Sequence, residues 1–200
     1  MFVSEYNKLA CQFIENFDYN RVPCITIIVG NKGLGKTLLL HELYNKVKNT
    51  IPSTIIIDAE KFASKFAYAA YKKQYNSFRK AYRNTKLFLL DNINSLKGKN
   101  KTINELFFTI DTILMNEGKV VITYRGQELN LDFLDQKFAS RLKCGLTIML
   151  KEPSDTEIKD FIKYLFPELN NDISLFDFCY ERDFKKIIEF FKPMLNQNIF

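Results

Sequence analysis

The sequence predicts an α/β domain, a parallel sheet between two layers of helices, followed by a small helical domain. Three observations point there. Short apolar, β-branched runs alternate with amphipathic helical stretches. A glycine-rich loop joins the first of these strands to its helix. The alternation stops at Pro153, and only helical periodicity follows.

Residues 25–29, bounded by Pro23 and Gly30, have the unbroken apolar pattern of a strand covered on both faces. Residues 36–47 predict a helix, because Leu39, Leu40, Leu43 and Val47 fall on one side of it. A second strand is expected at 54–58, after Pro52. A basic stretch at 61–83 has mostly helical spacing, and a third strand follows at 87–90. A helix at 103–116 ends before Gly118, and strands follow at 120–123 and 146–150. Ser154, with Asp155 and Glu157 behind it, carries the chemistry of a helix start, and Ile158, Phe161, Ile162 and Leu165 continue at helical spacing. Two further helices are expected at 173–180 and 182–195, with Phe176, Phe178, Phe184, Phe190 and Phe191 as the core of the small domain. The expected division is 1–152 for the α/β domain and 153–200 for the helical one.

Composition excludes several classes. The chain has 200 residues, 46% of them hydrophobic and 26% charged, which is ordinary for a folded protein with a real core. No apolar run approaches the roughly 20 residues of a membrane-spanning helix. The opening MFVSEYNKLA has no basic segment leading into an apolar one, so no secretory leader is expected. Cys11, Cys24, Cys144 and Cys179 lie far apart with no CxxC pair. They predict neither a zinc site nor a disulfide scaffold, but buried thiols in a reducing cytoplasm.

Gly30-Asn31-Lys32-Gly33-Leu34-Gly35-Lys36-Thr37 satisfies GxxxxGK[ST], the phosphate loop of nucleotide-binding proteins. Its glycines allow positive φ and close approach to phosphate oxygens. The loop amides and the start of the next helix point at the anion. Lys36 supplies a cation for the β- and γ-phosphates, and Thr37 a hydroxyl for Mg²⁺. The expected ligand is therefore ATP or ADP with Mg²⁺. Leu87-Phe88-Leu89-Leu90-Asp91 is an apolar strand ending in a carboxylate, so Asp91 is the candidate second metal-binding group beside Thr37. Asn92 follows it. An amide cannot act as a general base, which predicts weak intrinsic ATP hydrolysis. Thr123, at a strand end, is a candidate sensor of the terminal phosphate, though β-propensity alone also places threonine there. Arg141 offers a rigid, permanently charged fork to a phosphate on a neighbouring subunit, or equally to a surface ion pair.

Net charge is +6, and it is concentrated. From Glu60 to Lys86, eight cations (Lys61, Lys65, Lys72, Lys73, Arg79, Lys80, Arg83, Lys86) face a single anion, for a local charge of +7. Phe66, Tyr68, Tyr71, Tyr75, Phe78 and Tyr82 are interleaved with them. The stretch suits single-stranded DNA, with phosphates to neutralise and bases to stack, or else is a solvated helix face over buried rings. His41 reads as a packing or surface residue, and Asp58 as the cap of a turn.

Taken together, GNKGLGKT with LLHELYN, FLLDNINSLKGKNKT, ELFFTIDTILMNEGK and FASRLKCGL with EPSDTEIKDFI resemble the bacterial replication initiator ATPase family, DnaA and its short Hda-type relatives, within the AAA+ class. The opening FVSEYNKLA is similar to the family segment that lines the adenine pocket. The resemblance implies an AAA+ domain with a helical lid, phosphate-loop roles for Gly30, Gly33, Gly35, Lys36 and Thr37, and the Walker B role for Asp91. It makes Arg141 an arginine finger acting in trans, and places Lys185 where the family's lid carries a nucleotide-sensing arginine. Asn92 after Asp91 resembles the Hda-type regulators more than the initiator.

The departures matter too. The chain ends at Phe200, so the initiator's duplex-reading domain is not expected. The family core starts at Phe2 without the regulators' clamp-binding peptide, and Gln197-Asn198-Ile199-Phe200 is a poor substitute for it, which puts a sliding-clamp partner in doubt. Thr123 is followed by Tyr124 and Arg125, where the family carries an acidic residue.

The resulting expectation is a cytoplasmic, adenine-nucleotide-binding regulator of chromosomal replication initiation. It contacts the initiator ATPase and supplies Arg141 to its ATP, with self-association into a homo-oligomer open. The alternative is an initiator-like or helicase-loader-like module that binds single-stranded DNA or blocks initiator filaments without catalysis.

Overall fold

The computed structural model describes residues 2–167 and 182–195. Its elements in chain order are α1 (Lys8–Glu15), β1 (Ile25–Gly30), α2 (Lys36–Val47), β2 (Thr54–Asp58), α3 (Ala59–Tyr71), α4 (Tyr75–Arg83), β3 (Leu87–Asp91), a 3₁₀ turn (Ile93–Leu96), α5 (Asn100–Met115), β4 (Lys119–Arg125), α6 (Gln136–Lys143), β5 (Leu146–Met149), α7 (Asp155–Leu165) and α8 (Phe184–Leu195). The expected helix at 173–180, with Cys179, Phe176 and Phe178, lies outside the described residues.

The five strands form one parallel sheet in the order β2-β3-β4-β1-β5. The central strands are apolar on both faces because each face is covered by helices. Alternation sorts their side chains. Ile27, Val29, Phe88, Leu90, Ile122 and Tyr124 join the core under α3, α4, α5 and α6. Ile28, Leu87, Leu89 and Val121 join the core under α1 and α2. The apolar faces of α7 and α8 enter that second core through Ile158, Phe161, Phe184, Ile187 and Phe191. The helices after Pro153 therefore share packing with the helix that follows the phosphate loop.

Caps set several boundaries. Asp58 ends β2 and accepts from the amides of Glu60 and Lys61, which starts α3. Ser154 and Glu157 form a capping box at the start of α7. The Glu157 carboxylate also accepts from Tyr6 N at 2.9 Å and from Ser4 Oγ, tying the N-terminal segment to that helix. Burial alone would raise this carboxyl. The bonds from Ser4, Ser154 and Tyr6 outweigh burial and hold it at about 2.

Three expectations are sharpened or corrected. The basic stretch, mostly helical as its spacing predicts, resolves into two helices broken at residues 72–74, where Lys73 has φ 57°. The cysteines are not uniformly buried: Cys11 is, whereas Cys24, in the loop entering β1, and Cys144, at the end of α6, are exposed. Helices α1 and α6 and the 3₁₀ turn are additions. Each is short and buries only two or three apolar side chains, which leaves a weak periodic signal in the sequence.

Candidate functional site

The carboxyl ends of β1, β3 and β4 meet at one edge of the sheet, where doubly wound folds bind ligands. From β1 the chain enters the phosphate loop. Gly33 and Gly35 have φ 82° and 80°, a region open mainly to glycine. A Cβ on Gly35 would point into open space, so the cradle is clear of protein there. At Gly33 the neighbour is the start of α8: a Cβ would fall 2.2 Å from Asp183 Oδ1, and Phe184 N donates to Gly33 O at 3.2 Å. Leu34 is buried in the core and pins the loop, while Lys32 is exposed.

Lys36, the first residue of α2, turns back along the loop and donates from Nζ to Asn31 O at 2.5 Å. The Asn31 side chain in turn donates to Glu152. Burial pushes the Lys36 ammonium down to about 8, Asp91 opposes that shift, Arg125 adds to it, and Asp183 opposes it. A cation held this far below its ordinary value gains by receiving an anion.

Asp91, Thr37 and Thr123 converge. Thr37 Oγ1 donates to Asp91 Oδ2 at 2.7 Å, and Thr123 Oγ1 donates to Asp91 Oδ1 at 2.5 Å. Thr123 also accepts from Asn92 N at 2.7 Å, with Asn92 in the left-handed region that asparagine tolerates. One carboxylate is thus bracketed by the hydroxyl of the phosphate-loop helix and the fully buried hydroxyl of β4. Hydroxyl and carboxylate oxygens are hard donors of the kind magnesium prefers, completed by phosphate and water. Among the described residues there is no cluster of three or more His, Cys, Asp and Glu that could hold an ion unaided. A cleft of about 700 Å³ opens beside Thr37 and Asp91, with His41, Asp58, Lys61 and Lys65 on its walls.

Two predicted site residues lie apart from this cluster. Arg141, on α6, is half exposed and donates to Asp111 of α5 at 2.6 Å. Lys185, in the first turn of α8, is 79% exposed and lies 3.6 Å from Glu189. Asp183, two residues earlier at the start of α8, is the residue that reaches the loop; no local pattern marks it, because Gly33 lies at the other end of the chain.

The basic stretch divides by use. The Glu105 carboxylate, nearly fully buried on α5, is gripped by Arg79 at 3.0 Å and Arg83 at 2.7 Å. Phe78 and Tyr82 are buried beneath them. Lys61, Lys65, Lys72, Lys73, Lys80 and Lys86 stay exposed. Tyr68 and Tyr71 are 62% and 79% exposed, and Lys72 Nζ lies 5.9 Å and 5.2 Å from their ring centres.

Compared with known proteins, residues 7–149 match the family described as the bacterial DnaA ATPase domain. A chromosomal replication initiator protein DnaA from Buchnera aphidicola subsp. Cinara cedri is 34% identical over 140 residues, which are 69% of this chain and 31% of that protein. DnaA from Aquifex aeolicus, in an AMPPCP-bound structure, superposes with a TM-score of 0.82 at 26% identity, covering 96% of this chain and 63% of that one. A replication initiator DnaA bound to AMPPCP and single-stranded DNA gives a TM-score of 0.80 at 26% identity, with the same coverage of 96% and 63%. The chain spans about three-tenths of the length of the curated relatives it matches. No helix among the described residues is long and apolar enough to cross a membrane.

Proposed function

The chain belongs to the bacterial DnaA ATPase domain family, and from that premise we propose that it is a cytoplasmic, adenine-nucleotide-binding AAA+ domain that controls replication initiation as an Hda-type regulator. The observation that carries the reading is Asp91, held between the hydroxyls of Thr37 and Thr123 beside the glycine cradle and the Lys36 ammonium. That set is complementary to the phosphate tail of ATP or ADP with Mg²⁺, and the AMPPCP in the two solved relatives supports it. A bound magnesium nucleotide supplies a terminal phosphoryl group on which negative charge builds during transfer. Lys36 and the loop amides stabilise that charge, Thr37 and Asp91 orient the ion, and Thr123 fixes Asp91. Asn92 cannot accept a proton, so the isolated chain hydrolyses ATP slowly.

In the regulatory step, Arg141 serves the initiator's ATP in trans. Its tie to Asp111 orients the guanidinium, and its half exposure leaves it reachable. Calorimetry with ATP and ADP tests the binding claim: wild type is expected to bind and Lys36→Ala to lose binding. Hydrolysis of ATP preloaded on the initiator tests the rest, with stimulation expected from wild type and lost with Arg141→Ala. Equal stimulation by both would remove Arg141 from the mechanism.

A second reading is favoured by one observation, the exposed Tyr68 and Tyr71 rings flanking Lys72. Such a surface stacks bases and neutralises phosphate, and supports a module that binds single-stranded DNA. The solved relative that holds single-stranded DNA is consistent with it. Oligonucleotide affinity that falls steeply with added salt is the expected result, and salt-independent binding would count against it.

A further inference from the structure

We propose that Arg125 is a second phosphate-binding cation of this chain, placed to contact the terminal phosphate of its own nucleotide. The inference rests on the nucleotide-binding reading above and adds a residue to that site.

Four observations place it. Arg125 is the last residue of β4 and pairs in register with Gly30, the first residue of the phosphate loop. Along β4, Ile122 and Tyr124 point into the core under α3–α6, whereas Val121 points into the core under α2, and Thr123 reaches Asp91. Side chains repeat every two residues along a strand, so Arg125 projects to the same face as Thr123, about 7 Å further toward the ligand edge of the sheet. That is the face on which α2 begins.

The backbone there is fixed. Arg125 N donates to Asn94 Oδ1 at 2.6 Å, Asn94 Nδ2 donates to Arg125 O at 3.1 Å, and Gly126 N donates to Gly30 O at 3.1 Å. Asn94 lies in the 3₁₀ turn that follows Asp91, so the turn leaving the Walker B strand holds the Arg125 backbone in position. The arginine side chain is exposed, and among the described residues it has no ion pair with an acid.

The geometry also says which phosphate. Lys36, the cation for the β- and γ-phosphates, reaches back to the carbonyl of Asn31, so the outer end of the phosphate tail lies toward Gly30 and Asn31. Arg125 stands beside that end. The cation of the lid does not, because Lys185 is exposed next to Glu189. Two positive charges without a ligand, Lys36 and Arg125, repel each other; a triphosphate between them relieves the repulsion more than a diphosphate does. Arg125 therefore favours ATP over ADP, with a planar fork that lysine does not reproduce.

The test is calorimetric titration of ATP and ADP, each with Mg²⁺, into wild type, Arg125→Ala, Arg125→Lys and Lys36→Ala. Circular dichroism melts check folding, which the exposed Arg125 side chain does not support. Arg125→Ala is expected to weaken ATP roughly tenfold and ADP by much less, so that the preference for ATP collapses. Arg125→Lys should recover part of it. If Lys36→Ala loses both nucleotides while Arg125→Ala keeps the wild-type ATP-to-ADP ratio, Arg125 has no such role and the nucleotide site stands. If folded wild type binds neither nucleotide, the site and this inference fall together.

Discussion

The phosphate-loop edge and the α3–α4 face are both rich in cations, yet the fold uses them in different ways. At the loop, Lys36 is partly buried and hydrogen-bonded to its own loop, and on the proposed reading its charge is kept for a ligand. On α4, Arg79 and Arg83 are spent on Glu105, a carboxylate buried on the neighbouring helix. The basic stretch thus contains two kinds of charge. The arginines hold α4 onto α5, and the exposed lysines around Tyr68 and Tyr71 are free to meet a partner. A local count of charge does not distinguish them; where the counter-charge comes from does.

Substitutions can break this contrast, and the largest effect is expected at Glu105. Glu105→Ala leaves two arginines without their carboxylate and is expected to cost about 3 kcal/mol of unfolding free energy, less than for a fully buried pair because Arg79 and Arg83 keep partial access to water. Urea unfolding measures it as a lower midpoint at unchanged slope. A shift below about 0.5 kcal/mol would show that the cluster is a surface pair of little weight.

The next effect separates the two kinds of cation. Tyr71→Ala or Lys72→Ala is expected to weaken single-stranded oligonucleotide binding, by roughly 1–3 kcal/mol for the lost ring. Arg79→Ala should leave that affinity nearly unchanged while lowering stability. The reverse pattern would mean that α4, and not the end of α3, is the contact surface.

The smallest effect lies at the seam between the N-terminal segment and α7. Glu157→Gln keeps the reach of the capping box but loses the charge and one of the two acceptor oxygens, and is expected to cost about 1 kcal/mol at pH 7. The sign follows from its low folded value. Because the folded carboxyl titrates at about 2, its contribution is complete above the ordinary carboxylate range and disappears as pH falls from about 4.5 toward 2. Wild-type and variant stabilities should therefore converge at low pH; a difference that persists at pH 2 would point to lost packing instead.

What the sequence revealed and what it hid follow the same division between local and distant partners. Strand β1, bounded by Pro23 and Gly30, the phosphate loop and the Ser154 cap are all local patterns, and the structure forms a strand, a loop and a helix start there. The helix after the loop covers Lys36–Val47, the range its spacing predicts. The Glu105 pairs join residues 22 and 26 positions apart, and the contact of Asp183 with Gly33 joins two ends of the chain. Neither leaves a trace in spacing or composition. Helix α6 was within reach: Asp135 caps it, and Phe138 and Leu142 are buried four residues apart. The break after Tyr71 was hidden because Lys72, Lys73 and Gln74 are all acceptable helix residues.

The central claim is that the charge of Lys36 and the cradle of Gly33 and Gly35 await a nucleotide tail. Isothermal titration of ATP and ADP into wild type and Lys36→Ala tests it most directly. The account predicts saturable, one-site binding and thermal stabilisation of the wild type, both lost in the variant. A folded wild-type protein that gives neither heat nor a shift in melting temperature, or a Lys36→Ala protein that binds as tightly as wild type, would contradict it.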